Sequence, residues 1–227
     1  SSDVAKKLLS EFKGFLQVDG FASYNALEKN IELIRIGCNM HGRRYFEKAM
    51  TTGAKPGQTL AQVAMKFYER LYDHEEELRL LTIDDRNKLR QEIQVPIWNE
   101  FKKWADGNHS KVPPKSKIGE AFKYFRSEYQ YLTGYLKDGR LEMDNGFAER
   151  AIRKFAIGRN NWMFADTESG ANASAMFYSL LCTAKVNDVN IYEAIKYLFK
   201  EIPKAKTIED FEHLADIIMG ITPLAYN

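Results

Sequence analysis

Apolar residues are distributed in two ways along the chain. Up to about residue 50 they come in short runs bounded by turn residues, and beyond about residue 57 they recur every three or four positions. Val4, Leu8, Leu9 and Phe12 stand at helical spacing and predict a short helix over 4–13, ended by Gly14. Phe15-Leu16-Gln17-Val18 predicts a strand closed by Asp19-Gly20. Ser23 to Leu27 reads as a brief helix, and Ile31 to Ile36 as a second strand with Gly37-Cys38 at its end. Strand, helix, strand is the pattern of a parallel crossover. Asn39 to Met50 is expected to be helical, and Thr51 to Gln58, with Gly53, Pro56 and Gly57, to be a linker.

From there the helical period dominates. Leu60, Val63, Ala64, Phe67, Leu71 and Leu78 form one apolar stripe. Thr82 is placed to cap a helix that runs towards Trp104 and bends at Pro96. Asp106 to Lys117, with Gly107, Pro113 and Pro114, is expected to be the main loop. A long amphipathic helix over about 117–137 places Phe122, Phe125, Tyr129, Leu132 and Leu136 inside, and Asp138-Gly139 turns the chain. Leu141 to Met143 leads into an acidic turn followed by a basic helix. Phe155 to Phe164 alternates enough to predict an extended or hairpin segment. A small-residue helix over 171–185 follows. Asn190 is placed to cap a helix over 191–201, and Thr207, with Asp210 three residues on, another over 208–219. The fold class expected is mainly α with a small β component (α/β), in which 57–115 is a helical unit inserted between two parts of another fold.

Composition narrows the class. At 227 residues the chain suits one large domain or a domain with an insertion, and 44% hydrophobic and 13% aromatic content is ample for a core. A net charge of +2 does not announce a nucleic-acid protein, so any basic surface must come from local clustering. Cys38 and Cys182 are too few and too distant for a disulfide framework, which suits a reducing, cytoplasmic setting. No apolar run approaches the roughly 20 residues that span a bilayer, and no secretory leader is apparent at the start.

Chemistry concentrates in a few residues. Asn145, Glu149 and Arg153 are spaced by four and share a helix face. Spacing alone favours a stabilising Glu149–Arg153 pair, with Asp144 as a helix cap; a metal-ligating Glu149 is the competing reading. Arg150, Arg153, Lys154 and Arg159 can neutralise phosphates along DNA or form a solvated basic face. Asp19, at the carboxyl end of a strand, is a turn residue or an acid at the usual ligand edge of an α/β sheet. Two such acids suit Mg²⁺, an oxygen-seeking ion that often takes only one or two carboxylates plus substrate phosphates. Cys38 and His41 form C-x-x-H, half of what a structural zinc site takes; a buried thiol beside a hydrogen-bonded histidine fits the same pattern. Trp162 reads as core, or as a stacking platform for an extruded base.

Four ordered motifs go further. Leu16-Gln17-Val18-Asp19-Gly20-Phe21-Ala22-Ser23-Tyr24-Asn25, Gly37-Cys38-Asn39-Met40-His41-Gly42-Arg43-Arg44-Tyr45-Phe46, Gly139 to Arg153 with Met143-Asp144-Asn145-Gly146-Phe147-Ala148-Glu149-Arg150 at its heart, and Gly158-Arg159-Asn160-Asn161-Trp162-Met163-Phe164 together resemble the insertion-sequence-66 transposase family. Pro114-Lys115-Ser116 and Tyr178-Ser179-Leu180 add to the resemblance, which covers the chain to about residue 200. It implies a DDE-type catalytic domain with a ribonuclease-H-like core and a helical insertion. Residues 1–56 would be the last core strands, 57–115 the insertion, 116–200 the catalytic helix and the rest of the core, and 201–227 a helical tail.

By matching position the resemblance makes Asp19 the second catalytic acid and Glu149 the third. The two would ligate Mg²⁺ or Mn²⁺. It gives Cys38 and His41 a structural role and places Arg150, Arg153 and Lys154 beside the scissile phosphate. Arg159, Arg43 and Arg44 join them as DNA-binding residues. DNA, as element ends and target, is the implied partner, within a homo-oligomeric complex. The family's first acid would lie upstream of Ser1, so this stretch is expected to be partial and inactive by itself. A non-catalytic DNA-binding or helical interaction remnant and a stand-alone nuclease are the alternatives.

Overall fold

The computed structural model describes residues 9–20, 32–50, 57, 59–162 and 165–221, excluding the side chains of 154 and 159–162. The expected brief helix at 23–27, most of the 4–13 helix and most of the 51–58 linker lie outside these residues. Two compact units emerge, Ser1–Phe147 and Ala148–Asn227, and each is described by itself.

In the first unit, β1 (Gly14–Val18) and β2 (Leu33–Gly37) pair in parallel, from Gly14 opposite Leu33 to Val18 opposite Gly37. Gly14 opens β1 at φ +110°, a conformation that costs glycine little. α1 (Asn39–Lys48) follows β2 directly and packs on α2 (Leu60–Leu78). A capping box starts α2: Thr59 accepts from the Gln62 amide, and the Gln62 side chain accepts from the Thr59 amide.

Thr82 caps α3 (Ile83–Leu89), which widens into a π-turn over Arg90–Gln94 before α4 (Val95–Asn108). The bend expected at Pro96 thus takes the form of a π-turn just ahead of it. Proline has no N–H and its ring crowds the carbonyl four residues back, here that of Glu92, so the preceding turn expands. The loop expected over 106–117 is shorter than its Gly and Pro content suggests. Helix α4 runs through Gly107, a 3₁₀ turn covers His109–Lys111, and Ser116 then caps α5 (Lys117–Leu132) by accepting the Gly119 amide at 3.1 Å. The last part of the predicted 117–137 helix tightens into a 3₁₀ turn over Gly134–Lys137.

One core joins α1, α2, α4 and α5. Phe67 stacks on Phe101 at 4.7 Å and 9°, and Phe101 lies 4.3 Å from Phe125. Phe46, Tyr68, Trp98 and Phe122 complete the aromatic cluster. Beneath it sits a buried polar network. The Arg90 guanidinium binds both Glu75 carboxylate oxygens and donates to the carbonyls of Tyr135, Asp138 and Leu141. Gln94 donates to Glu75, Tyr135 donates to Gln94, and Trp98 Nε1 donates to the Tyr135 hydroxyl.

The Asp138-Gly139 turn presses against the start of α3. A Cβ built on Gly139 would lie 2.1 Å from the Ile83 carbonyl oxygen, and Arg86 donates to the Gly139 carbonyl. Gly139→Ala must move backbone on both sides. We expect a loss of about 1–3 kcal/mol, read as a shift of the urea midpoint.

The second unit is helical. α6 (Gly146–Trp162) starts in the first unit and continues into the second, where α7 (Glu168–Val186), α8 (Ile191–Glu201) and α9 (Ile208–Ile218) follow. The extended segment expected from Phe155 is corrected: residues 155–162 are the last turns of α6, and 163–164 lie outside the described residues. The short alternation gave way because Phe155 finds a helical partner, packing edge-on at 5.1 Å against Tyr178 of α7. The caps at Asn190 and Thr207, the latter with Asp210, form as the spacing predicts. Ala184, Ala194 and Ile218 form the small core. Large apolar residues stay exposed here, among them Ile152 (62%), Phe199 (68%) and Ile208 (75%). Among the described residues no helix is long and apolar enough to cross a membrane.

Candidate functional site

Asp19 follows the last residue of β1 and is half-buried. Its neighbour Gly20 is pressed against α5: a Cβ there would meet the Tyr124 ring at 2.7 Å and the Glu128 carboxyl at 3.1 Å. Close packing therefore favours glycine at position 20, whatever the neighbouring acid does. Arg35, in the middle of β2, pairs with Glu128 at 2.5 Å while its guanidinium lies 4.0 Å from the Tyr131 ring centre. Sequence reading had no signal for this buried pair, whose partners are 93 residues apart.

Cys38 ends the passage from β2 and occupies the cap position of α1, fully buried. Burial pushes its thiol up. Backbone N–H groups of Asn145, His41 and Met40 oppose that shift, and the Asp144 charge adds to it. The net effect keeps the sulfur protonated at neutral pH, as in an inert structural cysteine. His41 is half-buried, and Cys38 and His41 offer donor atoms within 4.8 Å of each other. We expect Cys38 to resist Ellman's reagent in the native protein at pH 8 and to react on unfolding; fast native labelling at Cys38 would contradict this burial. Farther along α1, Arg43 is exposed, its guanidinium 5.9 Å from the Tyr72 ring centre, and half-buried Arg44 donates to the Met40 sulfur.

The turn that introduces α6 is held from several directions. Arg90 Nη2 donates to the Leu141 carbonyl at 2.8 Å, and Gln17 Nε2, from β1, donates to the Glu142 carbonyl at 2.8 Å. Asn39, at the start of α1, donates through Nδ2 to the Met143 carbonyl at 3.0 Å and to that of Leu132 at 2.9 Å. The Tyr72 hydroxyl, from α2, donates to Asp144 Oδ2 at 2.9 Å, and Asp144 Oδ1 accepts the Gly146 amide at 2.8 Å. Burial, followed by the Asp144 charge and hydrogen bond, holds the Tyr72 phenol far above its ordinary range, so it stays an O–H donor. Asp144 thus satisfies the first amide of α6 from one residue ahead of the cap position that spacing gave it. Gln17 and Asn39 stand inside the ordered motifs but carried no role there, and Tyr72 and Arg90 carried no signal.

Glu149 lies in the first turn of α6, half-buried, where the helix dipole favours a carboxylate. Arg150 and Arg153 are exposed on the same helix. Lys154, Arg159 and Trp162 lie on it by backbone, and their side chains are outside the described residues. Of the candidates, Asp19, Cys38, His41, Arg43 and Arg44 belong to the first compact unit and Glu149, Arg150 and Arg153 to the second. Cys38 and His41 are brought together within the first unit.

Comparison with known proteins decides the family. The model of the family described as "Transposase IS66 family" matches residues 1–173. The chain belongs to this transposase family. That span takes in every candidate residue named above. Among curated relatives of the IS66 chain is an uncharacterized protein of Sinorhizobium fredii, y4qI, 33% identical over 220 residues, covering 94% of this chain and 40% of that protein. A second from the same organism, y4hP, is 29% identical over 198 residues, covering 82% of this chain and 36% of that protein. The chain therefore spans less than half the length of the curated relatives it matches. No solved structure matches it.

Proposed function

We propose that this chain is a stretch of the catalytic region of an insertion-sequence transposase, which cuts DNA at element ends and joins them to a target. The observation that carries the reading is the family match over 1–173, which encloses Asp19 and Glu149 together. In this reading β1 and β2 are the last strands of a ribonuclease-H-like sheet, and Asp19 stands at the carboxyl edge where ligands of such sheets gather. Residues 57–115 are the helical insertion, 116–200 the catalytic helix and its support, and 201–227 a helical tail.

Asp19 and Glu149 are the residues that would hold Mg²⁺ or Mn²⁺. The fit is chemical: half-buried carboxylates supply the hard oxygen donors these ions take. When bound, the metal would polarise the phosphoryl oxygens and activate the attacking hydroxyl. The chain's own part is to present its carboxylates and, through Arg150, Arg153, Lys154, Arg159, Arg43 and Arg44, to neutralise phosphates. Cys38 and His41 have a supporting role. The functional complex is a homo-oligomer on DNA in the cytoplasm. A non-catalytic helical interaction role finds support in the exposed apolar residues of the second unit, and the experiment below separates the two.

The test uses the longest protein its gene encodes, incubated with Mg²⁺ and DNA that carries or lacks the element ends. Cleavage is expected only with the ends and the divalent ion. Cleavage of any DNA would make the protein a nuclease, and ion-independent binding without cleavage would favour the interaction role. A salt titration of DNA binding adds a second measure. Arg150→Ala with Arg153→Ala should lower the slope of log K against log salt by about 0.9 for each phosphate contact removed.

A further inference from the structure

We infer that Gln17, Asn39 and Tyr72 are positioning residues for Glu149. They form a clamp that fixes where the helix carrying Glu149 begins. The inference rests on the reading of Glu149 as a catalytic carboxylate and adds residues that the family comparison does not single out.

The geometry is specific. Four successive residues, Leu141 to Asp144, are each held by a side chain from a different element: Arg90 from the π-turn, Gln17 from β1, Asn39 from α1 and Tyr72 from α2. The first three bind main-chain carbonyls, so they read the path of the backbone rather than the identity of Leu141, Glu142 or Met143. The fourth binds Asp144, whose other oxygen takes the first helical amide, at Gly146. The Tyr72 hydroxyl therefore acts on the helix start through one carboxylate. A turn needed only for stability could be held by burial alone. Instead Gln17 stands on β1 two residues before Asp19, which follows the strand's end, and it donates to the carbonyls of both Glu142 and Gly37. The strand that leads into one proposed acid is tied directly to the lead-in of the helix that bears the other.

A helix origin matters because a helix is stiff. Each residue advances about 1.5 Å and turns by a 3.6-residue period, so an error at Gly146 is carried to Glu149, less than one turn on. Catalytic groups must be held to within about half an ångström of their working geometry by such supporting contacts, and partners behind metal ligands typically matter about 10–100-fold.

Tyr72→Phe is the sharpest variant, because it removes one hydroxyl and keeps the ring beneath Arg43. In the 227-residue chain, amide hydrogen exchange at Gly146 to Arg150 is expected to quicken about tenfold or more, while exchange at Trp98 and Phe101 stays at the wild-type rate. In the longest protein the gene encodes, the same variant is expected to raise the Mg²⁺ concentration for half-maximal end cleavage about tenfold, and Gln17→Leu to do the same. Unchanged exchange at the helix start would overturn the clamp. Faster local exchange with an unmoved Mg²⁺ requirement would reduce it to a structural tie and overturn the positioning role. Exchange that quickens at Trp98 and Phe101 as well would show general loosening, and would likewise overturn it. Because the exchange readout needs no cleavage, it is independent of the catalytic reading. Wild-type cleavage by Glu149→Gln would remove that reading while leaving the exchange result standing.

Discussion

Arg90→Ala is expected to destabilise the first compact unit by about 3–5 kcal/mol, the cost of breaking a buried charge pair. Domains of this size have only about 5–15 kcal/mol in total, so the variant should be close to unfolding at 37 °C. Arg90 is fully buried, with its charge met by Glu75 and its remaining N–H groups by the carbonyls of Tyr135, Asp138 and Leu141. Alanine leaves the Glu75 carboxylate in the core with Gln94 alone among the described residues to bind it, and takes a donor from each of those carbonyls, of which Asp138's keeps the Leu141 amide. Urea unfolding followed by tryptophan fluorescence gives the number, since Trp98 belongs to the same network. The pair variant Arg90→Met with Glu75→Leu should recover much of the loss, because two apolar groups leave no orphaned charge. A single variant as stable as wild type would show that water reaches Glu75.

Glu149→Gln is expected to reduce end cleavage by about a thousandfold, or about 4 kcal/mol of barrier at 1.36 kcal/mol per tenfold. Glutamine keeps the size and helical tendency of glutamate and removes the charge that would hold the metal. Stability should fall by no more than about 1 kcal/mol, the scale of the helix-dipole contribution of a first-turn carboxylate, and DNA affinity should hold. Arg153→Ala is the comparison. If Glu149 served only as a helix ion-pair partner, the two variants would act alike and weakly, at about 0.2–0.5 kcal/mol. Cleavage is measured on DNA with element ends across a range of Mg²⁺. Wild-type rates in Glu149→Gln would remove Glu149 from the catalytic set.

Much of the secondary structure was legible from the chain. The apolar stripe of α2, the caps at Thr82, Asn190 and Thr207, and each of the two strands taken singly depend on residues a few positions apart, where spacing carries the information. The misreadings arose where a distant contact overruled a local hint. Phe155 to Trp162 looked extended until Tyr178 gave Phe155 a helical partner. The loop around Gly107 was absorbed into α4, because an isolated glycine costs a helix only about 1 kcal/mol. At the candidate site the acids, the C-x-x-H pair and the arginines were visible as residue types in ordered motifs. The groups that hold them were not: Gln17 and Tyr72 gave no periodic signal and make no local contact that would mark them.

The sequence by itself determined the helical character, the caps, the two strands and, through its ordered motifs, the transposase family. It also placed Asp19 at a strand end and Glu149 on a helix, because those assignments need only neighbouring residues. Tertiary structure alone decided what holds the turn before Glu149. Gln17 reaches Glu142 across 125 residues and Tyr72 reaches Asp144 across 72. Such pairings exist only once β1, α1 and α2 have packed, since a hydrogen bond depends on position in space and leaves no spacing to read along the chain.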